Sequence, residues 1–208
     1  QYPIKAIFCE KPITPTIEEG KELIKLCSQK GVILAVNHIR RWDSNYLFVK
    51  ELIRNNLIGS IRIVNGIYSG QIFNIGSHLI DVIRMLLQNN ISIVSGICDN
   101  LEAIDPDISG WIKFENGIIG SILSTGKRND LIFDIDIIGE EGRVKILDNG
   151  ERIEIYSFQQ SSRYSGYREL KIERHESIKK TNRFIDAIED IISVIEEKKK
   201  RVNCSGED

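Results

Sequence analysis

Little in this sequence points toward a charged polymer or a lipid phase. Lys and Arg number 28 against 30 Asp and Glu, a formal net charge of -2. No field of one sign is therefore available to gather nucleic acid or an anionic membrane. No apolar run approaches the ~20 residues that span a bilayer. No basic segment followed by an apolar one opens the chain as a secretory signal. Cysteine is sparse: Cys9, Cys27, Cys98 and Cys204 form no CxxC pair and match no zinc spacing. They read as reduced, mostly buried thiols of a cytoplasmic protein, and no metal site is expected. Methionine is nearly absent. The sole one is Met85 and the first residue is Gln1, which reads as a longer chain that was cut or processed. Neither a P-loop nor a nucleophilic triad is present. No GxGxxG follows a strand, so these residues hold no phosphate-cradling motif.

What is present reads as a soluble globular chain. Its 208 residues are 41% hydrophobic and 28% charged. Ile4 to Cys9 has the composition of a short buried strand, and Pro12 and Pro15 end it. Thr16 to Glu19 has capping-box spacing. A helix is predicted to follow, with Gly20, Leu23, Ile24 and Cys27 inward and Gly31 as its stop. Val32 to Val36 is an apolar run suited to a strand buried on both faces. Strand, helix, strand at this spacing is a βαβ unit with parallel strands and a right-handed crossover.

Beyond it the pattern changes. Helices are predicted over Ser44–Asn56 and Ser77–Leu87, the second with Ile80, Ile83 and Leu87 inward, and a strand over Ile61–Ser69. From Ile91 to Tyr156 six strand-length segments alternate with turns. They are Ile91–Cys98, Ile108–Phe114, Ile118–Ser124, Ile132–Ile138, Gly142–Leu147 and Arg152–Tyr156. Asn116-Gly117 and Asn149-Gly150 are type I′ turn signals, and connections this short imply an antiparallel meander. Residues 159–166 read as a polar loop. Ser177–Lys199 reads as an amphipathic helix, with Phe184, Ile188, Ile191, Ile192 and Ile195 on one face. Lys198 to Arg201 complement its C-terminal end. The fold class is α+β: a large, mostly antiparallel sheet flanked by helices, preceded by a partial Rossmann βαβ unit.

Three groups could carry chemistry. Glu10-Lys11-Pro12 follows the first strand, and ligands of open α/β sheets sit at the carboxyl ends of strands. Lys11 there is either a ligand-facing cation or an ordinary loop lysine. Asn37-His38-Ile39-Arg40-Arg41 ends the second strand. Its arginines either bind a carboxylate or phosphate through paired hydrogen bonds, or are solvated. Asn74 to Asp81 opens a helix, with His78 and Asp81 three residues apart on one face and Asn74 one turn earlier. His78 is an acid/base candidate or a satisfied capping histidine. His38 and His175 have no comparable setting.

Taken in order, Ile7-Phe8-Cys9-Glu10-Lys11-Pro12, Val36-Asn37-His38 through Arg41-Trp42, Asn55 to Ile61, Gly76-Ser77-His78-Leu79-Ile80-Asp81 and Cys204 to Asp208 resemble the Gfo/Idh/MocA oxidoreductases. The resemblance implies an N-terminal Rossmann domain, of which residues 1–38 would be the last part, and a substrate-binding and oligomerisation domain over 39–208. Most of the Rossmann domain and the last helix would lie outside this chain. It implies NAD or NADP as cofactor and hydride transfer to or from a sugar, inositol or related polyol. Lys11 matches the lysine beside the nicotinamide and the reacting carbon, and Glu10, Lys11 and Pro12 the cofactor contacts. His78 matches the catalytic histidine, with which Lys11 is expected to share a cleft. Asn74 stands where the family often has Asp, and Ser44 where many members have Pro. Asn37, Arg41 and Asp81 are the candidate substrate contacts. A homodimer or homotetramer through the sheet is implied, with neither nucleic acid nor membrane as partner. Alternatives are a cofactor-binding regulator without turnover, or an oligomerisation module alone.

Overall fold

The computed structural model describes residues 3–98, 100–126, 129–177 and 182–208, apart from the side chains of residues 175 and 177. The chain forms two compact units. One is Gln1–Ser44 with Thr181–Asp208, and the other is Asn45–Lys180.

The first unit is built on β1 (Ala6–Cys9), α1 (Ile17–Lys30) and β2 (Ile33–Val36). The two strands pair in parallel, from Ala6 opposite Ile33 to Cys9 opposite Val36, as the βαβ spacing predicts. Helix α1 begins where the capping box places it. The Thr16 hydroxyl accepts from the Glu19 N–H, and the Glu19 carboxylate accepts from the Thr16 N–H. It ends at Gly31, whose φ of 65° is left-handed.

Helix α4 (Arg183–Ile195) also belongs to this unit. Its Ala187 and Ile191 are buried with Ala35, Val36, Trp42, Val202 and Cys204. The packing division thus differs from the boundary after residue 38: residues 39–44 and 181–208 group with the βαβ unit. The physical reason is the apolar face of α4, which covers β2. The inward face is Ala187, Ile191, Val194 and Ile195, whereas Phe184, Ile188 and Ile192 are exposed, a rotation from the face expected. Of the predicted Ser177–Lys199 helix, residues 178–181 lie outside the described residues, and residues 196–199 have left the helix.

The second unit holds an eight-stranded sheet. Its strands are β3 (Ile61–Tyr68), β4 (Ile91–Cys98), β5 (Ile108–Phe114), β6 (Ile119–Ser124), β7 (Phe133–Gly139), β8 (Gly142–Leu147), β9 (Arg152–Gln160) and β10 (Arg168–Ser177). The order is β10-β9-β8-β7-β3-β6-β5-β4. Every pair is antiparallel except β3 with β6. The expected continuous meander is therefore split, because β3 enters between β6 and β7. Residues 125–132 separate those two strands, a longer connection than the two-residue turn between β7 and β8.

Strand β10 had no counterpart in the sequence pattern. Its Arg168-Glu169-Leu170-Lys171-Ile172-Glu173-Arg174 run is charged on both faces, as suits an edge strand that must resist further pairing. The turns differ in detail too. At Glu115-Asn116-Gly117 Gly117 alone takes positive φ, and its N–H donates to Phe114 O, a three-residue loop rather than type I′. At Asp148-Asn149-Gly150 all three residues take positive φ. A Cβ on Gly150 would stand 2.7 Å from the Tyr46 ring, so this turn is fixed by packing as well as by conformation.

One face of the sheet is the core. Val64, Ile112, Ile135, Ile137, Val144, Ile146, Ile153 and Ile155 meet Tyr46 and Val49 of α2 (Ser44–Arg54) and Leu79, Val82, Ile83 and Leu86 of α3 (Ser77–Leu87). Each such side chain contributes on the order of 1.5–3 kcal/mol. Gly66 of β3 lets α3 lie close, since a Cβ there would come within 2.7 Å of Leu79. The opposite face carries exposed Ile67, Ile93, Ile97, Trp111, Ile119 and Leu123 toward one edge. Farther along it carries paired charges, Arg143 with Asp136 and Arg152 with Glu154.

Candidate functional site

In the first unit the polar residues gather where β1 and β2 end. The backbone continues the ladder one residue past β2, with the Asn37 N–H donating to Cys9 O at 2.7 Å. That bond sets the Asn37 side chain beside the residue after β1, and its Nδ2 donates to Glu10 Oε1 at 2.8 Å. Asn37 is buried, only 5% exposed. With Nδ2 committed to a carboxylate, Oδ1 is fixed as an acceptor, and among the described residues it has no hydrogen-bond partner. Lys11 is half-buried and its bond to Pro12 is cis.

A short 3₁₀ turn, Ile39–Trp42, follows and buries Arg40, Arg41 and Trp42. The Arg41 guanidinium turns to the end of the chain. It faces Asp208 at 2.9 Å and donates to Asn203 O at 3.4 Å. Burial disfavours the Asp208 carboxylate. The Ser205 N–H and the guanidiniums of Arg41 and Arg201 outweigh that and hold its pKa below the ordinary value. Arg41 thus serves here as a clamp on the 203–208 segment. Asp190 continues the clamp, accepting from Trp42 Nε1 and the Asn203 N–H at 2.9 and 2.7 Å.

In the second unit Asn74, His78 and Asp81 lie on one continuous helical stretch. A π-helical turn, Ile72–Gly76, runs directly into α3. Asn74 lies within the turn, His78 in the first turn of α3, and Asp81 is buried a turn later. Asn74 and His78 are half-buried. Asp105 is the residue sequence reasoning passed over. Its carboxylate accepts from the N–H groups of Phe73 and Asn74, at 2.7 and 3.1 Å. Its only signal was an Asp-Pro-Asp run ahead of β5 (Ile108–Phe114), with nothing local to connect it to position 74.

Residues 3–38 match the family model described as "Oxidoreductase family, NAD-binding Rossmann fold". Residues 65–145 match the GFO/IDH/MocA C-terminal domain, and the two stretches together take in more than half of the chain. The chain belongs to the Gfo/Idh/MocA oxidoreductase family.

Its relatives include scyllo-inositol 2-dehydrogenase (NADP(+)) IolW of Bacillus subtilis. That protein is 35% identical over 95 residues, which are 37% of this chain and 26% of the relative. The scyllo-inositol 2-dehydrogenase (NAD(+)) of the same organism is 29% identical over 166 residues, 68% of this chain and 48% of the relative. Among solved structures, aldose-aldose oxidoreductase from Caulobacter crescentus, complexed with glycerol, has the same fold at a TM-score of 0.80 and 16% identity. That match covers 98% of this chain and 65% of the other. The chain spans about a quarter to a half of the length of these curated relatives.

Proposed function

We propose that the whole protein is an NAD(P)-dependent oxidoreductase that moves a hydride between the nicotinamide and a hydroxyl-bearing carbon of a sugar, inositol or related polyol. The observation that carries this is the pair Glu10 and Asn37 at the strand ends, with the buried Asn37 Oδ1 left as an acceptor. A carboxamide N–H is the kind of donor it lacks, so these residues fit the nicotinamide end of the cofactor. No glycine-rich phosphate cradle lies among the 208 residues, so they do not supply the pyrophosphate end. When bound, the nicotinamide supplies the hydride donor or acceptor.

The chain's own residues handle the proton. His78 takes the proton from the reacting hydroxyl, or returns it. Lys11, just past the end of β1, is the cation beside the nicotinamide by resemblance to the family, suited to stabilising negative charge. Glu10 and Pro12 shape the cofactor side. Asn74 hydrogen-bonds the substrate through its amide but accepts no proton. Asn37 is the polar contact on the cofactor side and Asp81 the one on the His78 helix, and Arg41 holds the loop after β2 through Asp208. The two scyllo-inositol dehydrogenases among the relatives support the substrate class.

The working form is a homodimer or homotetramer, which covers the apolar half of the sheet's outer face. Among the described residues the four cysteines form no disulfide, which supports a reducing, cytoplasmic setting. Among the described residues no helix is long and apolar enough to cross a membrane.

Asn74 favours a second reading, a regulator that binds nicotinamide without turning over substrate. Nicotinamide absorbance measured on the intact protein across inositols, aldoses and their acids separates the two. Turnover of a polyol is expected. Tight NAD(H) binding with no turnover on the whole panel would establish the regulator instead. The 208 residues alone are expected to bind NADH more weakly than micromolar.

A further inference from the structure

We propose that Asp105 is a positioning residue for the Asn74 and His78 group, a role that rests on the site assigned above. The hydrogen-bond accounting of the helix start leads to it. The first bonds made within the turn are those of the Ile75 and Gly76 N–H groups to Gln71 O. The N–H groups of Ile72, Phe73 and Asn74 precede them and have no partner of their own in the helix. All three are met from one distant segment. Ile72 N–H donates to Pro106 O at 3.0 Å, Phe73 N–H to Asp105 Oδ1 at 2.7 Å and Asn74 N–H to Asp105 Oδ2 at 3.1 Å.

Residue Gln71, which precedes the turn, makes no side-chain cap. Asp105 supplies from 31 residues away what a Ser, Thr or Asp ordinarily supplies locally. Its negative charge also suits the positive end of the helix dipole.

The same segment is anchored below. Ile108 O accepts from the Tyr68 hydroxyl at 2.8 Å, and Tyr68 is fully buried. Gly76, at the end of the turn, backs onto that ring, since a Cβ there would stand 3.0 Å from Tyr68 Cζ. The turn is therefore held between the 105–108 segment and the Tyr68 ring. A π-helical turn changes the angular offset between residues four apart from that of a regular helix. Asn74 and His78 are such a pair. Asp105 fixes the turn, and the turn fixes how the Asn74 amide and the His78 imidazole face a substrate.

The experiment compares Asp105→Ala and Asp105→Asn in the whole chain by nuclear magnetic resonance, with the His78 ring signal identified through His78→Gln. Amide exchange at Phe73 and Asn74 is expected to rise about tenfold or more in Asp105→Ala, and less in Asp105→Asn, which keeps one acceptor oxygen. The His78 ring signal and its pH profile should move while those of His38 stay in place. In the intact enzyme kcat should fall with little change in KM or in nicotinamide affinity.

Unchanged exchange and an unchanged His78 signal in Asp105→Ala would overturn the proposal. So would equal movement of every histidine with a general loss of stability, the mark of a merely structural role. If the wild-type protein turns over no polyol, the enzymatic function fails, while the exchange and imidazole readouts still decide Asp105.

Discussion

Single residues here divide into those that would do chemistry and those that hold them. Replacing His78 by Gln removes a proton-transfer group, an effect of about 10²–10⁴ in rate for general acid–base catalysis. Lys11→Met should lower kcat as well, because a developing oxyanion loses its cation. Cofactor affinity, read by fluorescence of NADH in the intact protein, should survive His78→Gln. Loss of binding together with turnover would remove the proton-transfer role. Arg41 and Asp208 belong to the second kind. The folded carboxyl of Asp208 titrates below its ordinary range. A depressed carboxyl stabilises the fold above its unfolded pKa, and that contribution is lost as pH falls through the folded value. Asp208→Asn should therefore destabilise the chain near about pH 7, and the difference should shrink at acid pH as the folded carboxyl takes up its proton. Urea midpoints at neutral and at acid pH measure it.

Elements were legible where local chemistry is strong. Thr16, Glu19 and Gly31 bracket α1 as their spacing predicts, because a capping box and a left-handed glycine act within one turn of chain. Thr16→Ala should cost about 1 kcal/mol, seen as a lower denaturation midpoint at unchanged slope. Ser77–Leu87 and the strands β4 (Ile91–Cys98), β5 (Ile108–Phe114) and β8 (Gly142–Leu147) fall on their expected limits. Strand β10 escaped because an edge strand buries too little to show alternation. The inward face of α4 (Arg183–Ile195) is rotated by part of a turn from the one its apolar residues suggest. In α3, Ile83 is buried as expected and Ile80 and Leu87 pack at the margin of the core, while Leu79, Val82 and Leu86 lie deeper. Of the Asn-Gly turns, Asn149-Gly150 takes the expected left-handed angles, with the Glu151 N–H donating to Asp148 O at 3.2 Å, whereas at Asn116-Gly117 only the glycine takes positive φ.

At the scale of the molecule, the outer face of the sheet sets the expectation for assembly. Trp111 is 63% exposed and Ile97 75% exposed, with Ile93, Ile119 and Leu123 on the same face. Contiguous apolar area of this kind marks an interface. Light scattering on the intact protein should give a dimer or tetramer, and Trp111→Glu should shift it toward monomer. A wild-type monomer at high concentration would exclude assembly through this face.

The sequence by itself determined the βαβ unit, the helix caps, most strand limits, the α+β class and the residues matching the family. These follow from contacts within a few residues or from motifs in fixed order. Only the tertiary structure decided that β3 (Ile61–Tyr68) inserts between β6 (Ile119–Ser124) and β7 (Phe133–Gly139), that α4 packs on β2 (Ile33–Val36), that Arg41 clamps Asp208, and that Asp105 caps the turn before His78. Each joins residues far apart in the chain. The pairing is chosen by which apolar faces must be covered and which N–H groups must be met, and no local pattern records that.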